Sequence, residues 1–288
     1  MIVVTAATGQ LGRRVVEGLL ERVPAGQIVA AVRSPEKAAD LAARGVLVRE
    51  ADYDRPETLK GAFGAGDVVL LISSDLVGGR LPQHVAVVDA AVEAGVARIA
   101  YTSLLHADTA TVSIAPEHKA TEEHIRASGL PFTFLRNGWY SENHAAAIAQ
   151  GAATGSIFGS AGEGRVASAT RDDYAAAAVA VLTGEGHENH ENTVYELSGD
   201  LAWSLPELAA EVSAVAGRPV SYQDLPVEDY ERLLAEAGLA PELAAAYAGF
   251  DVAIAKGEIG DATGELRRLI GRPTTPLRDT VAALLGDA

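Results

Sequence analysis

Six short apolar runs, rich in β-branched residues, alternate with helical segments through the first half of the chain, and that alternation leaves few folds open. The runs are Ile2 to Thr5, Ile28 to Val32, Val46 to Val48, Val68 to Ile72, Arg98 to Tyr101 and Phe132 to Leu135. After the first, Leu11, Val15, Val16, Leu19 and Leu20 recur at helical spacing until Pro24 and Gly26. Pro56 to Phe63, Leu81 to Ala94 and Pro116 to Ser128 also read as helices, the last two closed by Gly95 and Gly129. Strands separated by helices pair in parallel, so the sequence predicts an α/β protein with a doubly wound parallel Rossmann sheet.

The first strand breaks into Ala6-Ala7-Thr8-Gly9-Gln10-Leu11-Gly12. Glycines between a buried strand and a helix let backbone N–H groups approach a pyrophosphate at the helix N-terminus. The spacing is that of a G-x-x-G-x-x-G turn, with Ala6 where the first glycine would stand. Alone such a turn is weak, because many α/β proteins have one and bind nothing. Five further strand ends strengthen it.

In sheets of this kind ligands lie over the carboxyl ends of the strands. There stand residues 6 to 12, Arg33, Asp52, Ser73-Ser74, Tyr101-Thr102-Ser103 and Arg136-Asn137-Gly138. An NAD-selective protein places a carboxylate after its second strand to hold the ribose hydroxyls; here that place holds Arg33, with Lys37 close by. A guanidinium suits a 2′-phosphate, so the pocket reads as preferring NADP over NAD, the other reading being a surface arginine at a helix start.

The chain has 288 residues, a formal charge of −16 and no cysteine. The acidity argues against nucleic acid or an anionic membrane as partner, since no basic stripe offsets it. Zero cysteines exclude disulfides, thiolate metal sites and a cysteine nucleophile, and fit a reducing compartment. With no basic-then-apolar leader before Ile2 and no apolar run long enough for a bilayer, the reading is a cytoplasmic protein. A homodimer is left open.

Beyond the sixth strand lie Trp139-Tyr140-Ser141-Glu142-Asn143, a small-residue helix from Ala145 to Ala153, and a loop punctuated by Gly159, Gly162 and Gly164 before Arg165. Helix Asp172 to Leu182 and strand Val194 to Leu197 are expected to return to the sheet. From Trp203 the chain is mostly helical, with a strand-like Val220 to Tyr222. The division is therefore a dinucleotide-binding domain over 1–150 and a smaller, mainly helical C-terminal lobe over 151–288, whose segments near 165–200 rejoin the sheet.

Many dehydrogenases on this architecture use Tyr-x-x-x-Lys, the lysine lowering the phenol's pKa. None of the eight tyrosines has a lysine four positions on. What remains is hydride transfer to an acceptor needing little acid catalysis, or nucleotide binding without chemistry. His187-Glu188-Asn189-His190-Glu191-Asn192 resembles a ligand string, but it lacks H-E-x-x-H spacing and reads as a polar loop, so no metal site is expected.

Thr8 to Gly12, Leu71 to Ser74, Tyr101 to Asp108, Leu135 to Asn143 and Ala167 to Tyr174 together resemble the NmrA-like atypical short-chain dehydrogenases, in particular the bacterial type 2 NAD(P)H:quinone oxidoreductases. The resemblance runs on through Lys256-Gly257 and Leu269 to Thr275. It implies flavin-free, NADPH-dependent reduction of quinones by direct hydride transfer, without a metal, in agreement with the missing Tyr-Lys pair. A quinone is already electrophilic, so positioning and a hydrogen bond to the developing oxyanion suffice.

By motif position the resemblance assigns the cofactor to Thr8, Gly9, Gln10, Leu11, Gly12, Arg33, Ser73, Ser74, Thr102, Ser103, Asn137 and Trp139. Gly9 and Gly12 would hold the pyrophosphate, Arg33 the 2′-phosphate, and Ser73 and Thr102 the nicotinamide side. Asn143 and Arg165 would meet the acceptor; alternatively Asn143 caps the next helix and Arg165 is a surface charge. His118 occupies the place where other members of the wider family often carry a catalytic lysine. It is either a proton relay or an ordinary first-turn residue. A lysine missing there disfavours an isoflavone-reductase-like enzyme, whereas a non-catalytic NmrA-like NADP(H) redox sensor fits the absent Tyr-Lys pair equally well. Ala6 departs from the family's glycine and would crowd the turn.

Overall fold

The computed structural model describes residues 1–184 and 190–286. Strands and helices alternate as β1 (Ile2–Thr5), α1 (Gln10–Leu20), β2 (Ile28–Val32), α2 (Ala39–Ala43), β3 (Leu47–Glu50) and α3 (Pro56–Leu59). They continue as β4 (Val68–Leu71), α4 (Arg80–Ala94), β5 (Arg98–Leu104), α5 (Ala115–Ser128) and β6 (Phe132–Asn137). Next come α6 (Ala145–Thr154), β7 (Ser156–Gly159), β8 (Arg165–Val166), α7 (Arg171–Thr183) and β9 (Thr193–Leu197). The chain ends with β10 (Trp203–Ser204), α8 (Leu205–Ala216), β11 (Ser221–Asp224), α9 (Val227–Glu236), α10 (Pro241–Ala255), α11 (Glu265–Ile270) and α12 (Leu277–Gly286).

Seven strands form one parallel sheet in the order β3-β2-β1-β4-β5-β6-β9. Its strands β2, β1 and β4 are almost wholly apolar because both faces are covered. Val4, Leu70, Ala100 and Leu135 point to one layer, shared with α1, α7 and α11. Val3, Val69, Ile99 and Phe134 point to the other, shared with α3, α4 and α5. Each fully buried aliphatic side chain there contributes about 1.5–3 kcal/mol relative to exposure. A third cluster fills the C-terminal lobe, and a fourth packs the loop after β5 against Phe250 and Ala253 of α10.

Two expectations are corrected. The third strand is Leu47–Glu50, one residue later and longer than the run beginning at Val46. Val46 instead turns into the core, and the strand lies at the sheet edge, where Arg49 and Glu50 are tolerated and the apolar signal fades. The glycine-punctuated stretch expected as loop begins with β7, paired in parallel with β11. Its four residues are too few to show a period. Among the described residues no helix is long and apolar enough to cross a membrane.

Candidate active site

At the carboxyl end of β1 the chain turns through Ala6, which adopts a left-handed φ of 47°. Outside glycine that region costs of order 1–2 kcal/mol, so the crowding expected at Ala6 is present as backbone strain. The Ala6 carbonyl accepts the Gly9 N–H at 2.8 Å. It also sets how close α1 can come: a Cβ on Gly12 would lie 2.3 Å from that oxygen, whereas one on Gly9 would lie 3.1 Å away. Gly9 is the N-cap of α1, without a side-chain cap, and the first turn carries no acidic residue. Its first N–H groups therefore remain available to an anion. Thr8 is half-buried and Gly9 and Gln10 are exposed, while Leu11 turns its side chain into the core.

Arg33 follows β2 and is exposed, with no hydrogen bond or ion pair among the described residues. Lys37 is exposed on the same turn. Arg13 of α1 ties that turn down, donating to Asp40 at 2.5 Å and to the Lys37 carbonyl at 3.5 Å. An uncapped helix end, a glycine turn and an unpaired guanidinium after the next strand fit a 2′-phosphorylated dinucleotide.

Beside this turn the ends of β4, β5 and β6 are locked together. The Ser73 N–H donates to Thr102 Oγ1 at 2.9 Å and the Ser74 N–H to His84 Nε2 at 3.1 Å. Asn137 is buried and donates from Nδ2 to the Tyr140 hydroxyl at 3.2 Å. Trp139 stacks at a tilt on Phe250, centroids 4.2 Å apart, and its indole N–H donates to His144 Nε2 at 3.1 Å. That requires a neutral imidazole, and burial pulls the His144 pKa down to about 4. Ser103 stands apart from this group, because its buried hydroxyl donates to Glu122 at 2.7 Å.

Of the three residues expected to act on the acceptor, Asn143 is held by a neighbouring arginine. Its Oδ1 accepts from Arg171 Nη2 at 2.9 Å, and its side chain does not cap α6. Arg165 lies on the β8–β10 ribbon and donates to the Ala202 carbonyl and to Glu207, each at 2.7 Å, which ties it to the base of α8. His118 is buried. Arg80 donates to its Nε2 at 2.9 Å, so its proton sits on Nδ1 and faces the Tyr101 hydroxyl oxygen at 2.8 Å. Burial, with Arg80 close by, holds the His118 pKa well below its usual value, and brings that of His84 down to about 3. His118 is a fixed neutral link in a buried network.

Sequence reasoning missed Arg80 and Glu122, and it placed Arg136 at a strand end without its partners. Arg136 Nε and Nη2 grip the two Glu122 oxygens at 2.8 Å each, and its Nη1 reaches Glu196 at 2.7 Å. Burial lowers the Arg136 pKa, but the hydrogen bonds and charges of Glu122 and Glu196 outweigh it and raise the value above that of a free arginine. A charge directly after the apolar run Phe132 to Leu135 was the available signal, since a buried charge needs a partner. In the string from His187 to Asn192, residues 187–189 lie outside the described residues; His190 is buried, with Nδ1 at 2.8 Å from the Tyr195 hydroxyl. No group of three or more metal-ligating residues occurs among the described residues.

A parallel doubly wound sheet with a glycine turn, an uncapped helix end and a lobe beside the strand ends defines the class of dinucleotide-binding α/β proteins. Within that class the chain belongs to the NmrA-like family, whose sequence model matches residues 1–269. It is 50% identical over 284 residues to quinone oxidoreductase 2 of Escherichia coli K12, covering 99% of this chain and 98% of that one. The crystal structure of the NADPH-dependent quinone oxidoreductase of Escherichia coli complexed with NADPH superposes with a TM-score of 0.95, at 49% identity, over 99% of this chain and 100% of that chain. Triphenylmethane reductase of Citrobacter sp., solved with NADP(H), gives 0.94 at 41% identity over 99% of this chain and 100% of that chain.

Proposed function

We propose that the protein is an NADPH-dependent quinone oxidoreductase that works without a flavin or a metal. The observation that carries this is the unpaired Arg33 beside an uncapped glycine turn, in a chain half identical to a quinone oxidoreductase. NADPH, when bound, supplies the hydride. The N–H groups at the start of α1 hold the diphosphate, Arg33 and Lys37 take the 2′-phosphate, and the locked ends of β4, β5 and β6 support the nicotinamide end through Ser73, Thr102 and Asn137. Trp139 and Phe250 give the cleft an aromatic side suited to a planar acceptor and to excluding water. Asn143, its Oδ1 held by Arg171, has Nδ2 as the donor for one carbonyl oxygen of the acceptor. Arg165 acts indirectly, by steadying the lobe. With no cysteine to protect and a charge of −16, the protein suits the cytoplasm and a small-molecule partner rather than nucleic acid.

Quinone reduction driven by NADPH and by NADH, compared between the wild type and Arg33→Ala, tests the reading. A charge-assisted contact is worth about 1.5–3 kcal/mol, so kcat/KM for NADPH should fall roughly 10- to 100-fold. The NADH value should hardly move. Equal losses with both cofactors would remove Arg33 from the phosphate subsite.

A further inference from the structure

Arg80 has no task in the mechanism above. It opens α4, is 5% exposed and is ion-paired with Glu117 at 3.4 Å. Taking a guanidinium out of water costs several kcal/mol, and an apolar side chain would often serve stability as well. Its Nη1 carries two hydrogens. One goes to His118 Nε2 at 2.9 Å and the other reaches Ser73 Oγ at 3.4 Å. Ser73 is half-buried at the carboxyl end of β4, the ligand side of such a sheet. Its own hydroxyl hydrogen goes to the Ser74 carbonyl at 3.3 Å, a long bond that a better acceptor would displace.

We propose that Ser73 donates its hydrogen bond to the acceptor's other oxygen, the one on which negative charge gathers, and that Arg80 is its positioning residue, an assignment that rests on the quinone-reductase reading. A hydroxyl that accepts from a guanidinium is a stronger donor, because hydrogen bonds in a chain polarise one another. His118, fixed as the Nδ1–H tautomer between Arg80 and Tyr101, keeps the guanidinium aimed. In the step, the quinone gains a hydride, one proton and two electrons, from NADPH, which becomes NADP⁺. The hydroquinone first forms as a monoanion, and solvent water supplies its second proton. Ser73 keeps its own proton throughout.

The test compares Ser73→Ala, Arg80→Met and Arg80→Lys with the wild type. Single-turnover hydride transfer is measured to a series of substituted benzoquinones whose hydroquinones differ in acidity, and NADPH affinity is measured separately by nicotinamide fluorescence. Ser73→Ala should slow transfer roughly 100-fold for the quinone giving the most basic anion, and less along the series as the anion becomes less basic. Arg80→Met should slow it roughly 10-fold with the same trend and leave NADPH affinity at the wild-type value, and Arg80→Lys should recover part of the rate. A loss equal across the series, or one matched by lost NADPH affinity, would make Arg80 a packing residue and overturn the assignment. A wild type that reduces none of the quinones would overturn the assignment together with the reading beneath it.

Discussion

Gly12→Ala is expected to lower unfolding stability by about 3 kcal/mol, the upper range for overpacking a core, and to weaken NADPH binding roughly 100-fold. The added Cβ would stand 2.3 Å from the Ala6 carbonyl oxygen and 2.9 Å from the Ala6 carbonyl carbon and the Ala7 Cα. All three are backbone atoms of the β1 turn, so no rotamer change relieves the clash. Helix α1 must back away, which pulls Val15, Val16 and Leu19 from their packing and shifts the N–H groups meant for the diphosphate. Gly9→Ala serves as the control, because its Cβ would meet that oxygen at 3.1 Å and a small shift accommodates it. Urea unfolding and NADPH fluorescence titration of both variants check the difference. Equal behaviour of the two would show that the close approach of α1 to β1 sets neither stability nor affinity.

Glu122→Ala should cost about 3–5 kcal/mol, the range for removing one partner of a buried pair. The loss leaves Nε and Nη2 of Arg136, a residue 6% exposed, without their acceptor while Nη1 keeps Glu196, and it leaves the Ser103 hydroxyl without its acceptor. The double variant Glu122→Leu/Arg136→Met should recover much of the stability, since two apolar side chains satisfy each other without desolvated charge. Denaturant midpoints decide this. A double variant as unstable as the single one would mean that the charges themselves, through Glu196 and Asp108, hold the ends of β6 and β9 in place.

How far the sequence carries depends on the range of the interaction. The six Rossmann strands were legible, apart from the bounds of β3, because a parallel strand covered on both faces is largely apolar, and the turn between β1 and α1 because its glycines lie close together in sequence. Arg33 was legible for the opposite reason, having no partner to infer. His118 was not, since its protonation is set by Arg80, 38 residues away on another helix. Arg165 was read toward the acceptor, but its guanidinium is committed to Ala202 and Glu207, and no local pattern announces that ribbon. The seventh strand, β9, pairs with β6 across a long excursion through the lobe, and only its short apolar run hinted at the return. Ala6 was visible as a departure from the glycine pattern, and its left-handed φ supplies the physical content of that departure.

The most direct measurement mixes the purified protein, without added flavin, with NADPH and a simple benzoquinone and follows nicotinamide absorbance. Catalytic loss of NADPH, one molecule per quinone reduced, is the expected result. Tight NADPH binding with stable absorbance would contradict it and leave a nucleotide sensor in place of an enzyme.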